Sequence, residues 1–173
     1  MVPIRISKIN NSFQNIIKMM TNKTSMGRFS ILAAFMLCLW HAPVSAQLAD
    51  KAAAQAMVAK GIAAIQTDGW KALVAMTAPR KTFVDRDLYL AVYDMTGKCM
   101  AHGQNPKQVA KNLLSVKDPE GKQFVRERVT LAQTQASFWQ EYKFTNPVTK
   151  AVQSKLAYCE RVNDLIVCGG IYK

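Results

Sequence analysis

The sequence predicts an α+β domain in which a long helix comes first and a mostly antiparallel sheet with helical insertions follows. Three observations support this fold class. They are an alanine-rich stretch at residues 48–66, a strand-turn-strand pattern at residues 85–103, and three further strand-like runs that close the chain. A chain of 173 residues, half of them apolar, has room for one domain with a hydrophobic core.

Two helices are predicted at the start of the domain. In residues 48–66, alanine and larger apolar residues recur near helical spacing, which indicates one amphipathic helix that ends near Gly69. A shorter helix follows over residues 70–76. It stops before Pro79, because proline disfavours helical geometry in the residue that precedes it.

Two strands joined by a tight turn come next. Residues 88–93, with the sequence LYLAVY, are rich in aromatic and β-branched residues, and residues 99–102 form the returning strand. Residues 94–97 supply the turn, and its glycine tolerates a positive φ.

Alternation along the first of these strands separates two kinds of side chain. Tyr89, Ala91 and Tyr93 share one face, and three aliphatic residues share the other. We expect the first helix to pack on the aliphatic face. The mixed face, with aromatic bodies and hydroxyl tips, either lines a ligand cavity or completes the core.

The rest of the chain contains a cover segment, a helix and three strands. Residues 106–114 are predicted as a short helix or an irregular cover, and residues 120–134 as a helix. The closing strands are predicted at residues 138–144, 154–162 and 165–172.

The first 46 residues have the three parts of a secretory signal. A basic N-terminal region precedes an apolar run at residues 29–40, and the small-residue site Val44-Ser45-Ala46 follows. We predict cleavage after Ala46 and a periplasmic or secreted protein. The basic N-terminal region is unusually long, so Met26 is a candidate for the true start of translation. A retained membrane anchor is the alternative, although the apolar run is shorter than the roughly 20 residues that span a bilayer.

Much of the basic character belongs to this leader. The formal charge of the whole chain is +12, and the leader holds five basic and no acidic residues. The remaining basic residues are scattered, and export makes nucleic acid an unlikely partner, so we predict none.

Export also favours a disulfide between Cys159 and Cys168. If Asn163 and Asp164 form a two-residue hairpin turn, the two cysteines face each other as a non-hydrogen-bonded pair, in which side chains approach closely. Two reduced thiols, or a bridge from Cys99 to one of them, are the alternatives.

Several short motifs, in their order and spacing, resemble the small single-Cache type of extracytoplasmic sensory domain. They cover residues 52–173 and comprise the 85–103 segment, Asn105-Pro106, Lys111 to Leu114, Lys117-Asp118 with Gly121-Lys122, Phe124 to Glu127, Tyr142 to Pro147 and Gly170 to Lys173. Ala110 departs from the glycine common in the family, which leaves a different loop conformation open. The resemblance implies one domain at residues 47–173.

The same resemblance implies a PAS-like, five-stranded sheet with the long first helix across one face and a small-ligand pocket on the other. On this basis, candidate ligand-binding residues are those with aromatic, imidazole or ammonium groups on the strands: Tyr89, Tyr93, His102, Trp139, Lys143, Lys155 and Tyr158. Alternation places Trp139 and Lys143 on the face opposite to Tyr142, so one pocket needs a bulge to use all three.

The individual candidates also have simpler interpretations. His102, the histidine expected in the mature chain, either has a structural role or donates a hydrogen bond to a ligand carboxylate. A lysine at the rim of an aromatic pocket pairs with a carboxylate, but most lysines are solvated. Arg126 and Arg128 have the pattern of a charged helix face. No catalytic arrangement, metal-ligand pattern or cofactor motif is apparent, so we predict no enzyme, metal or cofactor.

The sequence therefore predicts an exported binding module. It would bind a small organic acid or similar metabolite reversibly, under a cover at residues 105–118, and serve a signalling or chemotaxis partner such as a membrane receptor or sensor kinase. The alternative is a structural or interaction protein of the envelope whose pocket is filled by its own side chains.

Overall fold

A computed structural model describes residues 49–79 and 82–173. The predicted signal segment, the start at Met26 and the cleavage after Ala46 lie outside these residues. Within the described ranges, no helix combines the length and the apolar character needed to cross a membrane.

Two helices open the described part of the chain. Helix α1, Lys51–Asp68, begins at Asp50, whose side chain accepts a hydrogen bond from the Ala53 N–H at 2.8 Å and so caps the first turn. It ends at Gly69, which has a φ of 56°. Helix α2, Trp70–Thr77, follows directly. Both helices lie within three residues of their predicted bounds.

The strands of the described residues form a six-stranded antiparallel sheet. They are β1 Val84–Asp85, β2 Leu88–Asp94, β3 Cys99–His102, β4 Ser137–Thr145, β5 Val152–Val162 and β6 Leu165–Tyr172. The order is β1-β2-β6-β5-β4, and β3 also pairs with β2. All five predicted strands are present, and the two-residue β1 is an addition that the sequence did not indicate.

The closing hairpin has the predicted register. Val162 faces Leu165 across the turn, and Cys159 faces Cys168. The two cysteines form a disulfide with their Cα atoms 4.1 Å apart, the close spacing of a non-hydrogen-bonded pair. Cys99 is buried and free, so the alternative pairings are wrong.

The two faces of β2 contribute to different cores, as predicted. Leu88, Leu90 and Val92 pack on the helical side with Val58 and Met76 of the first two helices. On the other face a second cluster includes Ala91, Tyr93, Val125, Phe138 and Tyr142. The sheet is therefore covered on both sides.

Helix α3, Phe124–Thr134, is shorter than predicted because its expected first residues form a turn around Asp118. Asp118 Oδ1 accepts hydrogen bonds from the backbone N–H groups of Glu120 and Lys122, at 3.0 and 2.8 Å. Such local bonds compete with helix formation. Asp118 Oδ2 accepts the N–H of Lys143 at 3.0 Å, which ties this turn to β4.

Residues 103–123, which we call the cover segment, connect β3 to α3. They contain a short 3₁₀ helix, Pro106–Gln108, and are otherwise irregular. Ala110 has a φ of 70°, in the region that favours glycine. Its N–H donates to the carbonyl oxygen of Cys99 at 2.8 Å, which holds the segment against β3.

Candidate functional site

A small cavity lies between the sheet face that carries Tyr89 and Tyr93, the cover segment and α3. Its lining residues are Tyr89, Ala91, Tyr93, His102, Gln108, Leu113, Val116, Phe124, Arg128, Tyr142, Phe144, Lys155, Ala157, Cys168 and Gly170. The cavity volume is about 40 Å³, whereas one water molecule needs roughly 10–15 Å³ by this measure. The space suits a ligand of only a few non-hydrogen atoms.

Arg128 reaches this cavity from α3 and is almost fully buried, with 1% of its surface exposed. Its Nε donates a hydrogen bond to Gln140 Oε1 at 3.1 Å. The guanidinium carbon lies 5.0 Å from the centroid of the Tyr93 ring and 5.4 Å from that of Tyr142. Nη2 is buried without a hydrogen-bond partner in the described part of the chain. A guanidinium N–H is thus free to donate to a ligand.

The prediction that Arg126 and Arg128 form one charged helix face is therefore wrong for Arg128. Phe124, Arg128 and Ala132 recur every four residues and are all buried, so Arg128 belongs to the inward side of the helix. Arg126 is on the exposed side, where its Nε donates to Gln123 Oε1 at 2.8 Å.

Lys155 reaches the cavity from β5 and is also buried, with 2% of its surface exposed. Its ammonium nitrogen lies 3.6 Å from the centroid of the Tyr89 ring and 4.7 Å from that of Tyr172. These ring faces stabilise the cation. Burial nevertheless lowers the pKa of Lys155 well below its usual value, and the positive charge of Arg128 adds to this lowering.

Arg128 and Lys155 have no acidic partner at the cavity. The four ion pairs found within residues 49–79 and 82–173 involve neither of them, and no aspartate or glutamate is among the described lining residues. Buried charges are costly unless they are paired. The arrangement therefore favours an anion in the cavity.

His102 adds a neutral hydrogen-bond donor. Its Nδ1 accepts hydrogen bonds from the backbone N–H groups of Gln104 and Asn105, at 3.3 and 3.0 Å. Burial, together with the charges of Lys155 and Arg128, lowers the pKa of His102 to about 3. The ring is neutral at physiological pH, and because Nδ1 is an acceptor, the proton lies on Nε2.

Two tyrosines of the cavity, Tyr89 and Tyr93, remain protonated. Burial is the main cause that raises the pKa of both Tyr89 and Tyr93 above the usual value, so each phenol can donate a hydrogen bond. Tyr142 stacks on Phe124 with ring centroids 4.5 Å apart. The cavity thus combines polar donors with aromatic walls, as ligand sites commonly do.

Four of the seven residues that were predicted to bind ligand come together here: Tyr89, Tyr93, His102 and Lys155. The burial of Lys155 contradicts its simpler interpretation as a solvated lysine.

The expectation that Trp139, Lys143 and Tyr158 share this pocket is wrong. Trp139 and Tyr158 pack against each other on the helix-covered face, with ring centroids 5.0 Å apart. Lys143 is partly exposed, and its ammonium lies 3.8 Å from a carboxylate oxygen of Glu120. The physical reason is alternation, because no bulge interrupts the pairing of β4 with β5.

Sequence reasoning missed Arg128, Tyr142 and most of the lining that the cover segment provides. The four-residue spacing of Phe124 and Arg128 was a usable signal for the inward face of α3. Tyr142 was already placed on the face opposite to Trp139, and once Trp139 is assigned to the helix side, Tyr142 must face the cavity.

Within the described ranges, no group of three or more histidine, cysteine, aspartate or glutamate side chains converges. The thiol of Cys99 is not activated as a nucleophile. Burial raises the pKa of its thiol to about 11, so the thiolate is scarce at neutral pH.

Comparisons with known proteins agree with this architecture. The model of the Single Cache domain 2 family matches residues 35–172. A search of curated proteins finds no match. Several solved structures are similar in fold, and all of those described next are less than a quarter identical to this chain.

A methyl-accepting chemotaxis protein from Vibrio parahaemolyticus is 23% identical with a TM-score of 0.61, and the alignment covers 70% of this chain and 87% of that one. The periplasmic sensor domain of a chemotaxis protein is 23% identical with a TM-score of 0.55, covering 70% and 88%. A Cache chemosensory domain described for its carboxylic acid recognition is 19% identical with a TM-score of 0.56, covering 68% and 86%. These similarities show the fold.

Proposed function

Because the chain belongs to the Single Cache domain 2 family, we propose that it is an extracytoplasmic sensory domain that reversibly binds a small organic acid. The observation that carries this proposal is the pair of buried basic side chains, Arg128 and Lys155, at a cavity without a lining carboxylate in the described residues. The domain comprises residues 47–173 and acts in the periplasm or outside the cell, after cleavage of the leader near Ala46.

A carboxylate suits the donors of the cavity. Arg128 offers its unpartnered Nη2, Lys155 offers an ammonium, and His102 offers its Nε2–H. Hydrogen bonds between charged groups are stronger than neutral ones, and they are strengthened further where water is excluded. The apolar side chains of Ala91 and Ala157, on the same wall, accommodate the short carbon chain of the acid.

Binding is proposed to involve the cover segment. That segment contributes Gln108, Leu113 and Val116 to the lining, so a ligand in the cavity would contact it directly. His102 connects the cavity to the cover segment. Its Nδ1 accepts hydrogen bonds from the N–H groups of Gln104 and Asn105 at the start of that segment. A ligand on Nε2 of the same ring would stabilise the closed cover.

The resulting change in the cover is proposed to be read by a signalling partner, such as a membrane receptor or a sensor kinase. This is a role in binding and not in bond chemistry. The similar Cache domain described for carboxylic acid recognition makes short carboxylates the natural first ligands to test.

The proposal is tested by thermal shift and calorimetry with acetate, propionate, lactate, pyruvate, succinate and amino acids. We expect at least one small carboxylate to raise the melting temperature, since a ligand at 100 times its Kd stabilises a protein by about 2.7 kcal/mol. Arg128→Met should abolish the shift. Arg126→Met, on the exposed side of the same helix, is the matched control and should retain it.

If no compound in this panel stabilises the wild-type protein, the binding proposal fails. That result would favour the alternative of an envelope structural or interaction protein. Recovery of the ligand unchanged after prolonged incubation is expected, whereas turnover that requires His102 would indicate an enzyme.

A further inference from the structure

We propose that Asp87, which does not line the cavity, determines the charge of the anion that the cavity accepts and favours a singly charged ligand over a doubly charged one. The inference rests on the proposed function, because it concerns ligand choice at the same site. It depends on a relationship between Asp87 and Lys155 that can also be tested without any ligand.

The first observation is the burial of Asp87. The residue lies in the turn between β1 and β2 and is only 1% exposed. Neither of its carboxylate oxygens has a hydrogen-bond partner in the described part of the chain. A buried carboxylate without donors is unfavourable unless a cation lies close enough to compensate its charge.

Lys155 is the candidate partner for the charge of Asp87. Asp87 lies two residues before Tyr89, and the centroid of the Tyr89 ring is 3.6 Å from the ammonium nitrogen of Lys155. Tyr172 is the partner of Lys155 on β5.

The electrostatics agree with this placement. Burial is the largest cause that raises the pKa of Tyr172, and the negative charge of Asp87 contributes to the same rise. Burial and Arg128 lower the pKa of Lys155, whereas Asp87 opposes this lowering. Asp87 thus favours the protonated form of Lys155.

The remaining titratable groups around Lys155 do not change this balance. His102 is neutral, and Tyr89 and Tyr172 are protonated phenols. Glu127 Oε2 accepts a hydrogen bond from the side-chain amide of Gln140 at 3.1 Å. The charge of Glu127 is already compensated, because its side chain is 42% exposed and is paired with Lys122 at 2.9 Å.

The charges near the cavity therefore leave one positive charge uncompensated. A bound anion would favour the protonated form of Lys155, and Asp87 would then offset one of the two positive charges of Lys155 and Arg128. A single carboxylate completes the balance. A second carboxylate would be a buried anion without a partner, which is strongly disfavoured.

Pyruvate and oxalate test this inference, because they have the same number of non-hydrogen atoms but carry one and two negative charges. Calorimetry on the full protein should show pyruvate binding at least about tenfold more tightly than oxalate. Asp87→Asn should shift this ratio toward oxalate by about tenfold. The variant removes one negative charge, which acts on the ligand over a distance longer than a direct contact. Asp85→Asn is the matched control, because Asp85 is half-exposed and paired with Arg86, and it should leave the ratio unchanged.

A double-mutant cycle tests the pairing of Asp87 with Lys155 in the absence of ligand. If Asp87 compensates Lys155, the Asp87→Asn and Lys155→Met changes will not be additive. The double variant should unfold at a higher urea concentration than the sum of the single changes predicts.

The outcomes separate the two proposals. If carboxylates bind but Asp87→Asn leaves the pyruvate-to-oxalate ratio unchanged, the inference on ligand charge is overturned while the proposed function stands. If no anion binds, the proposed function fails and the ligand-charge inference fails with it. Additive single variants would overturn the Asp87–Lys155 relationship in either case.

Discussion

Gly170 lies directly beneath the side chain of Lys155, so that a Cβ atom at position 170 would overlap Lys155 Cε and lie 3.2 Å from its Cγ. Because Gly170 has no side chain, Lys155 can cross from β5 over β6 and reach the ring of Tyr89 on β2. A small residue on one strand therefore explains why a lysine on its neighbour is buried at the cavity.

Gly170→Ala should displace Lys155 and weaken ligand binding by at least about tenfold. We expect a loss of stability of about 1–3 kcal/mol, the usual range when atoms are added to a packed interior. The matched control is Gly169→Ala, which faces α1 and meets Val58 Cγ2 at 3.2 Å. It should reduce stability but keep the ligand affinity, as measured by calorimetry. Wild-type affinity in Gly170→Ala would contradict this role.

The neutral state of His102 should make the protein sensitive to acid. Its pKa is about 3 in the folded protein and roughly 6.5 when unfolded, so the unfolded chain binds more protons between these values. The stability associated with neutral His102 is fully present above about pH 6.5 and is lost as the pH falls toward 3. The slope for one proton is about 1.4 kcal/mol per pH unit.

Urea denaturation between pH 7 and 4 measures this effect. His102→Gln should have a flatter dependence on pH than the wild type, because glutamine does not titrate. Both proteins have the same carboxylates, so the contribution of these groups to the pH dependence of stability cancels when the two curves are compared. Parallel stability curves for the two proteins would show that His102 is not the residue responsible.

Reduction of the Cys159–Cys168 disulfide should lower stability by about 3 kcal/mol or less, because the bridge closes a short loop with a sequence separation of 9. The fold should persist, since the hairpin turn and the strand pairing independently fix the register. Circular dichroism with and without dithiothreitol measures both effects. Cys99→Ala should respond to the reductant as the wild type does, because Cys99 takes no part in the bridge.

Asp118→Asn should destabilise the protein by about 1–3 kcal/mol. Asp118 accepts three backbone N–H groups, two on Oδ1 and one on Oδ2, and an asparagine amide offers only one acceptor oxygen. Asp164→Asn, in the exposed turn of the closing hairpin, is the control and should be nearly neutral. Equal urea midpoints for the two variants would contradict the role of Asp118 in holding the cover segment to β4.

Local patterns in the sequence were sufficient for most of the fold. Alternation in LYLAVY assigned Tyr89 and Leu90 to opposite faces of the sheet, because successive side chains on a strand point in opposite directions. The turn at Asn163 set the register of the closing hairpin and with it the disulfide. Alternation did not reveal β1, since two residues are too few to show a period.

The candidate site was less accessible to sequence reasoning. Trp139 and Tyr158 have side chains that suit a pocket, yet they pack on the helix-covered face. Arg128 resembles Arg126 in its local sequence, yet only Arg128 is buried. A charged residue in a helix is usually solvated, and its burial becomes evident only from what packs against that helix.

The sequence by itself determined the family, the order of the elements, the faces of the strands and the disulfide, because these depend on motifs and on contacts between near neighbours in the chain. The tertiary structure alone decided that Arg128, Lys155 and Asp87 are buried and that no lining carboxylate in the described residues accompanies Arg128 and Lys155. The physical reason is that burial and charge balance arise from segments far apart in the chain. The cavity exists only where α3, the cover segment and the sheet meet.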